Sequence, residues 1–282
     1  MTPRRRYPCD LTDAQWQLIE PFVSAWRATR AGGRTPTTDL REVVNAILYV
    51  TRTGIAWRYL PHDFPPHTTV YDYFTAWESD GIAEQIHAAL REQVRRRKGR
   101  RVLPSAAVID AQSVKASPNA PETTQGYDAG KRIKGRKRHI ATDTLGLLLV
   151  VLITAASVQD STGGKQVLDH LHAHFPGVSK VWADGGYKNG AVAHGAALGI
   201  DVELVQRDPQ VKGFAVQPRR WIVEQTLGIL ARYRRLHRDY ETHPERSRAM
   251  VHWAMIGTLS HRLTGTPVRF RRNTLPKQDA SA

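Results

Sequence analysis

At 282 residues, 41% of them hydrophobic, the chain is long enough for one large domain with a smaller one attached. Forty-one Lys and Arg against 26 Asp and Glu leave a formal charge of +15, which points to a polyanion as partner, nucleic acid first. The longest apolar run, Leu145–Ala156, is far short of the roughly 20 residues that span a bilayer, the opening MTPRRRYPCD has no apolar signal region, and the lone Cys9 excludes an internal disulfide or a thiolate zinc cluster. No membrane role is expected, and a cytoplasmic protein is.

Thr12 and Gln15 have the spacing of a capping box, predicting a first helix from Asp13 to about Ile19 that Pro21 bends or ends. Asp39 and Glu42 open a second helix with Leu40, Val43, Val44, Ile47 and Leu48 on one face and Gly54 as its stop. After the Pro-broken connector WRYLPHDFPPH, Thr68 starts a third helix carrying Tyr71, Phe74 and Trp77, ending near Gly81. The series resembles a helix-turn-helix with an overlong turn, or else a plain helical cap. Trp57, Arg58, Tyr71 and Tyr73 are candidates to read or stack on bases, although aromatic residues on helices usually pack the core. A fourth helix, Ile82 to about Arg97, ends in the basic hinge RRRKGRR. These helices make a predicted N-terminal helical domain, residues 1–98.

From Val102 the texture changes to short apolar strands bounded by turn residues: SAAVIDAQSV, KRHIATDT and LGLLLVVLITAAS. The connector GYDAGKRIKGRKR between the first two carries six cations in the eight positions 131–138. Read as a solvated basic loop, Lys131, Arg132, Lys134, Arg136, Lys137 and Arg138 supply sequence-independent DNA affinity by counterion release, with His139 next to them as a further phosphate contact. A helix from Thr162 to about His174 follows, then the strand VSKVWAD, a Gly185-Gly186 turn, a helix near Gly190–Leu198, the strand DVELVQR and a long helix over Arg219–Tyr240. His170, His172 and His174 alternate on a helix, where residues two apart do not face one another, so a metal site is not expected there. This order is that of an α/β ribonuclease H-like mixed sheet, predicted for residues 102–265. Thr242 and Glu245 cap a last helix that packs the sheet, and the polar tail 266–282 is expected to be disordered.

In that sheet Asp110 is expected near the end of the first strand and Asp184 at the end of the fourth, its neighbour, while Glu224 lies early on the long helix that packs back over the same edge. Three carboxylates 74 and 40 positions apart are thereby expected to meet. Each has a plainer reading: a strand-end cap for Asp110, a turn residue for Asp184, an Arg220–Glu224 surface pair for the third. Together they are hard oxygen donors suited to two Mg²⁺ ions, with Mn²⁺ able to substitute. Ions about 3.5–4 Å apart activate water or a 3′-hydroxyl and stabilise the leaving oxygen of a phosphodiester.

The segments LTDAQW, VIDAQSVK, GYDAGKRIKGRKRHIATDTLGL, VWADGGYKN and RRWIVEQTLGILARYRRLHRDYE together resemble the DDE transposases of insertion sequences, family five, over roughly Leu11–Leu263. The resemblance implies that Asp110, Asp184 and Glu224 are the catalytic, metal-holding triad and that the N-terminal helices bind terminal inverted repeats. It implies cutting and joining of DNA, target DNA as second substrate, a homo-oligomer on the DNA and a nucleoid location. Related transposases often carry a tyrosine seven residues before the glutamate and a lysine seven after it, where this chain has Gln217 and Ala231. Arg220 matches the family's pattern, and Arg232, Arg234 or Arg235 is left to replace the lysine at the phosphate. Two other readings remain open at this point: a DNA-binding regulator that keeps the fold without catalysis, and a nuclease that hydrolyses without joining.

Overall fold

The computed structural model describes residues 4–30, 37–188, 190–205 and 219–266. Four helices come first: α1 (Asp13–Thr29), α2 (Leu40–Thr53), α3 (His67–Ser79) and α4 (Ile82–Arg97). The capping box at Thr12 and Gln15 forms, Asp39 caps α2, and Gly54 closes α2 in the left-handed conformation. Pro21 does not end α1, because Ile19 and Val23 on either side of it are both fully buried and hold the helix on one course.

The sheet comprises β1 (Ala106–Lys115), β2 (Gly126–Asp128), β3 (Ile133–Asp143), β4 (Leu148–Ala155), β5 (Lys180–Ala183) and β6 (Asp201–Leu204). β3 pairs antiparallel with β1 on one side and with β2 and β4 on the other, while β1, β5 and β6 run parallel. This is the ribonuclease H-like arrangement, preceded by a helical region. The short β2 was not expected. α5 (Asp160–His174) and α6 (Gly190–Ala197) pack on one face. α7 (Arg220–Leu230) and α8 (Pro244–Thr264) cover the other.

α8 does more than pack the sheet. Every residue from Ala249 to Ser260 is buried, so it is enclosed by the sheet on one side and by α1–α4 on the other. Trp253 meets Trp77 with ring centroids 5.8 Å apart, and Gln15 Nε2 lies 3.0 Å from His261 Nδ1. His243, not Thr242, stands at its N-cap. The expected tail from residue 267 onward lies outside the described residues.

The basic run is the largest departure from expectation. β3 begins at Ile133, so most of the supposed loop is strand, and strand alternation sends its cations to opposite faces. Arg136 and Arg138 face α7 and α8, and both are buried. Arg136 donates to the carbonyls of Glu241 (2.8 Å) and Thr242 (2.9 Å) and pairs with buried Asp239 at 3.3 Å. Arg138 donates to the Leu236 carbonyl at 2.8 Å, and burial lowers its pKa to about 10. On the other face Lys137 is held by Asp160 at 2.8 Å and the Val158 carbonyl at 2.8 Å. His139 is buried beside Thr154 (3.0 Å), and burial lowers it to about 4, so it is uncharged at neutral pH. These four side chains lie inside the fold, which removes them as DNA contacts. Lys131, Arg132 and Lys134 remain exposed.

The connector between α7 and α8 is thus fastened from beneath by two buried arginines. Removing one partner of a buried ion pair leaves the other charge uncompensated. Asp239→Ala is expected to cost about 3–5 kcal/mol in urea unfolding, whereas Lys134→Gln, which breaks only the exposed pair with Glu122, is expected to change stability by less than about 1 kcal/mol. Equal effects would mean that the run is a surface feature after all.

Candidate active site

The parallel pairing of β1 and β5 sets Val108 opposite Trp182. Two residues further along stand Asp110 and Asp184, which the same register brings side by side on one face; Asp184 follows the end of β5, whereas Asp110 is in the middle of β1, which runs on to Lys115 rather than ending there as expected. Each is fixed by local backbone. Asp110 Oδ1 accepts the Ala111 N–H at 2.7 Å, and Asp184 Oδ1 accepts the Gly186 N–H at 2.8 Å as cap of the 3₁₀ turn Gly185–Tyr187. A Cβ at Gly186 would lie 3.0 Å from Asp184 Oδ1 and 3.5 Å from Asp160 Oδ2, so a larger residue there would press on both acids. Burial pushes the Asp110 carboxyl up to about 6, and the neighbouring Asp184 charge adds to the shift.

α7 brings the third carboxylate over this edge. It packs on β1 and β3 through buried Val223, Thr226 and Leu230, with the Thr226 hydroxyl donating to the Gly146 carbonyl at 2.9 Å. Glu224 therefore faces outward, about half exposed. Arg220, one turn earlier, connects the acids: its Nη2 lies 3.3 Å from Glu224 Oε1 and 3.8 Å from Asp184 Oδ2, and its charge also favours ionised Asp110. The pair expected at the surface is thus one arm of a bridge to Asp184. Among the described residues no three His, Cys, Asp or Glu side chains stand close enough to hold a metal ion as they are. A guanidinium stands between the acids. Arg219, at the N-cap of α7, takes φ +71°, a region costly for any side chain, with its guanidinium over the Trp182 ring at 4.3 Å.

α7 ends at Leu230, not Tyr240. Tyr233 and Leu236 stand at helical spacing after Ile222 and Ile229 and are buried, but from a tight turn and a 3₁₀ turn (Arg234–Leu236). Arg232 and Arg234 are exposed beyond the helix end, whereas Arg235 is buried against Glu241 (2.7 Å) and the Ile55 carbonyl (2.8 Å). Lys131 is the member of the basic run that borders the acids: its Nζ donates to the Ala111 carbonyl at 3.1 Å, and its charge also lowers the cost of ionising Asp110.

The aromatic candidates divide likewise. Tyr73 packs against Trp26 and Trp77 (5.8 and 5.4 Å), while Trp57 and Tyr71 border a cleft of about 650 Å³ that also takes in Arg58.

Two residues beside the acids escaped sequence reasoning. Tyr187 is buried, its hydroxyl has no hydrogen-bond partner among the described residues, and burial, with Asp110, Asp160 and Asp184 adding to it, pushes its pKa well up. Asp160, at the first turn of α5, reaches the same turn from the other side. Adjacent glycines in α5 make the approach possible: a Cβ at Gly163 would strike the His139 ring at 2.2 Å, and one at Gly164 the Tyr187 ring at 2.5 Å.

Two family models match the chain. Residues 102–259 match the family described as "Transposase DDE domain", and residues 11–87 the one described as "Putative transposase of IS4/5 family". Two similar proteins come from Burkholderia cepacia. The "Insertion element IS402 uncharacterized 16.2 kDa protein" is 28% identical over 38% of this chain and 73% of its own length. The "Putative transposase for insertion sequence element IS402" is 32% identical over 43% of this chain and 59% of its own. "Uncharacterized protein y4sN" of Sinorhizobium fredii is 33% identical over 30% of this chain and 66% of its own. With the DDE match covering more than half of the sequence, the chain belongs to the DDE transposases, in the IS4/IS5 group of insertion sequences.

Proposed function

We propose that this transposase cuts DNA at the ends of its insertion sequence and joins the freed 3′ ends to target DNA, with Asp110, Asp184 and Glu224 as the catalytic carboxylates. The observation that carries the reading is the register of β1 against β5, which aligns Asp110 with Asp184, together with Arg220 linking Asp184 to Glu224. In this reading residues 1–98 bind the terminal inverted repeats, residues 102–265 carry the chemistry, and the protein works as a homo-oligomer that bridges two ends.

The donor set suits Mg²⁺. All three groups are hard oxygen donors, and the raised Asp110 carboxyl beside Asp184 marks a place where a cation relieves repulsion. Mg²⁺ held by these carboxylates, with Mn²⁺ as substitute, would supply activation of the attacking hydroxyl and stabilisation of the leaving oxygen. The chain's own residues do the rest. Asp110 and Asp184 are held by backbone N–H groups and present their remaining oxygens outward. Arg220 neutralises Asp184 and Glu224 in the free protein and is placed to turn to a phosphate of the bound DNA. Lys131, Arg132 and Lys134 on one side, and Arg232 and Arg234 beyond the end of α7, are exposed cations that suit the DNA backbone.

Glu224→Gln keeps shape and removes charge. On DNA carrying the element's ends, this variant and Asp110→Asn are expected to lower cutting and joining by about a thousandfold or more while retaining DNA binding. Wild-type-like joining by either variant would remove that residue from catalysis.

Asp110 gives a second test, in unfolding without metal. Its folded pKa of about 6 lies above the ordinary carboxylate value. As pH rises from about 4 to 6, the unfolded chain releases a proton that the folded chain still holds, so folding weakens across that window. Asp110→Asn is expected to be more stable than wild type above about pH 7, by on the order of 2 kcal/mol, with the gap closing below about pH 4. A gap independent of pH would show that Asp110 carries no strained charge.

A further inference from the structure

The basic hinge between the helical region and the sheet has no part in the site described above. Its cations divide in two. Arg95 is buried, pairs with buried Asp143 and donates Nε–H to the Arg101 carbonyl at 2.8 Å. Arg97 reaches back to the Leu263 carbonyl at the end of α8. The backbone closes the turn as well, with the Arg100 N–H on the Arg95 carbonyl at 3.0 Å and Gly99 at φ +65°. Arg96, Lys98, Arg100 and Arg101 point to solvent from this fixed frame. Among the described residues no carboxylate pairs with Lys98, Arg100 or Arg101, whereas Arg96 lies 3.4 Å from Glu92.

A groove of about 710 Å³ runs along this turn, with Arg100 and Arg101 on one wall and Thr144 and Gly177 on another. A Cβ at Gly177 would come within 3.1 Å of the Pro104 carbonyl oxygen, which keeps that wall bare. The groove opens at the amino ends of β1 and β5, whereas Asp110 lies further along β1 and Asp184 just past the end of β5. Four residues of β1 from Ala106 to Asp110 set the two places at least about 13 Å apart.

We propose that this groove is a second DNA-binding surface, which holds the phosphate backbone of duplex DNA without regard to sequence, on a stretch separate from the phosphate being cut. Arg100 and Arg101 on the wall of the groove, with Lys98 on the same turn just outside it, suit a phosphate track, since each phosphate neutralised releases condensed counterions. Cations on a loose tail would lose more backbone entropy on binding than these, whose turn is already held by backbone hydrogen bonds and the buried Arg95–Asp143 pair. The proposal rests on the reading that DNA is the partner, and its test separates the two.

Binding of the full chain to a short random-sequence duplex is measured across a salt series with metal chelated. The triple variant Lys98→Gln, Arg100→Gln, Arg101→Gln is expected to bind at least about tenfold more weakly and to lower the salt slope by up to about 2.7, at about 0.9 per phosphate lost. Arg100→Lys with Arg101→Lys keeps the charge and is expected to bind nearly as wild type. In the wild-type protein, bound duplex is expected to shield Lys98 from acetylation, a readout that needs no variant. Unchanged affinity and slope in the triple variant, equal loss in the lysine variant, or undiminished acetylation of Lys98 would each overturn the second surface. Failure of the wild type to bind any duplex would overturn the DNA reading along with it.

Discussion

The site depends on one pairing, that of β1 with β5. Parallel strands in adjacent register put residues of equal offset next to each other on the same face, and here the offset delivers two aspartates. Burial is the main reason that Asp110 rises to about 6, and repulsion by the neighbouring Asp184 carboxylate adds to it. The fold tolerates this because Arg220 arrives on α7 with a compensating charge. Charge strain of this kind does not help folding and is expected where chemistry requires it.

What holds α7 over the acids is a set of buried cations. Arg136 and Arg138 reach from β3 through the core face to the connector that follows α7, while Arg235 within that connector ties back to Glu241 and to Ile55 of the helical region. A single strand thus positions the connector behind Glu224, and Lys137 on its opposite face steadies Asp160 next to the Asp184 turn. With α8 enclosed between helices and sheet, the N-terminal helices and the acid-bearing strands share one core.

Local signals carried most of the architecture. Caps at Thr12 and Asp39, the stop at Gly54 and the alternation of helices with apolar strands gave the element order, and from that order came the expectation that Asp110, Asp184 and Glu224 meet, where the described side chains have Arg220 between Asp184 and Glu224. What escaped was decided by contacts between distant residues. The cations of 131–138 read as a loop because charge density suggested solvent, although R-K-R-H already has the two-residue alternation of a strand with different partners on each face. The helix over 219–240 looked continuous because Tyr233 and Leu236 kept helical spacing, yet Arg138 claims the Leu236 carbonyl and α7 ends after Leu230. Tyr187 and Asp160 had no local signal at all, since only the packing of α5 through Gly163 and Gly164 brings them to the acids.

The central claim is that three carboxylates far apart in sequence share one metal-binding place. Iron-directed cleavage of the polypeptide tests it directly: Fe²⁺ exchanged for Mg²⁺, with ascorbate and peroxide, cuts the backbone wherever it is bound. The account predicts cuts clustered at three places, beside Asp110, Asp184 and Glu224, suppressed together by excess Mg²⁺. Cuts at one of these segments alone, or elsewhere in the chain, would contradict it.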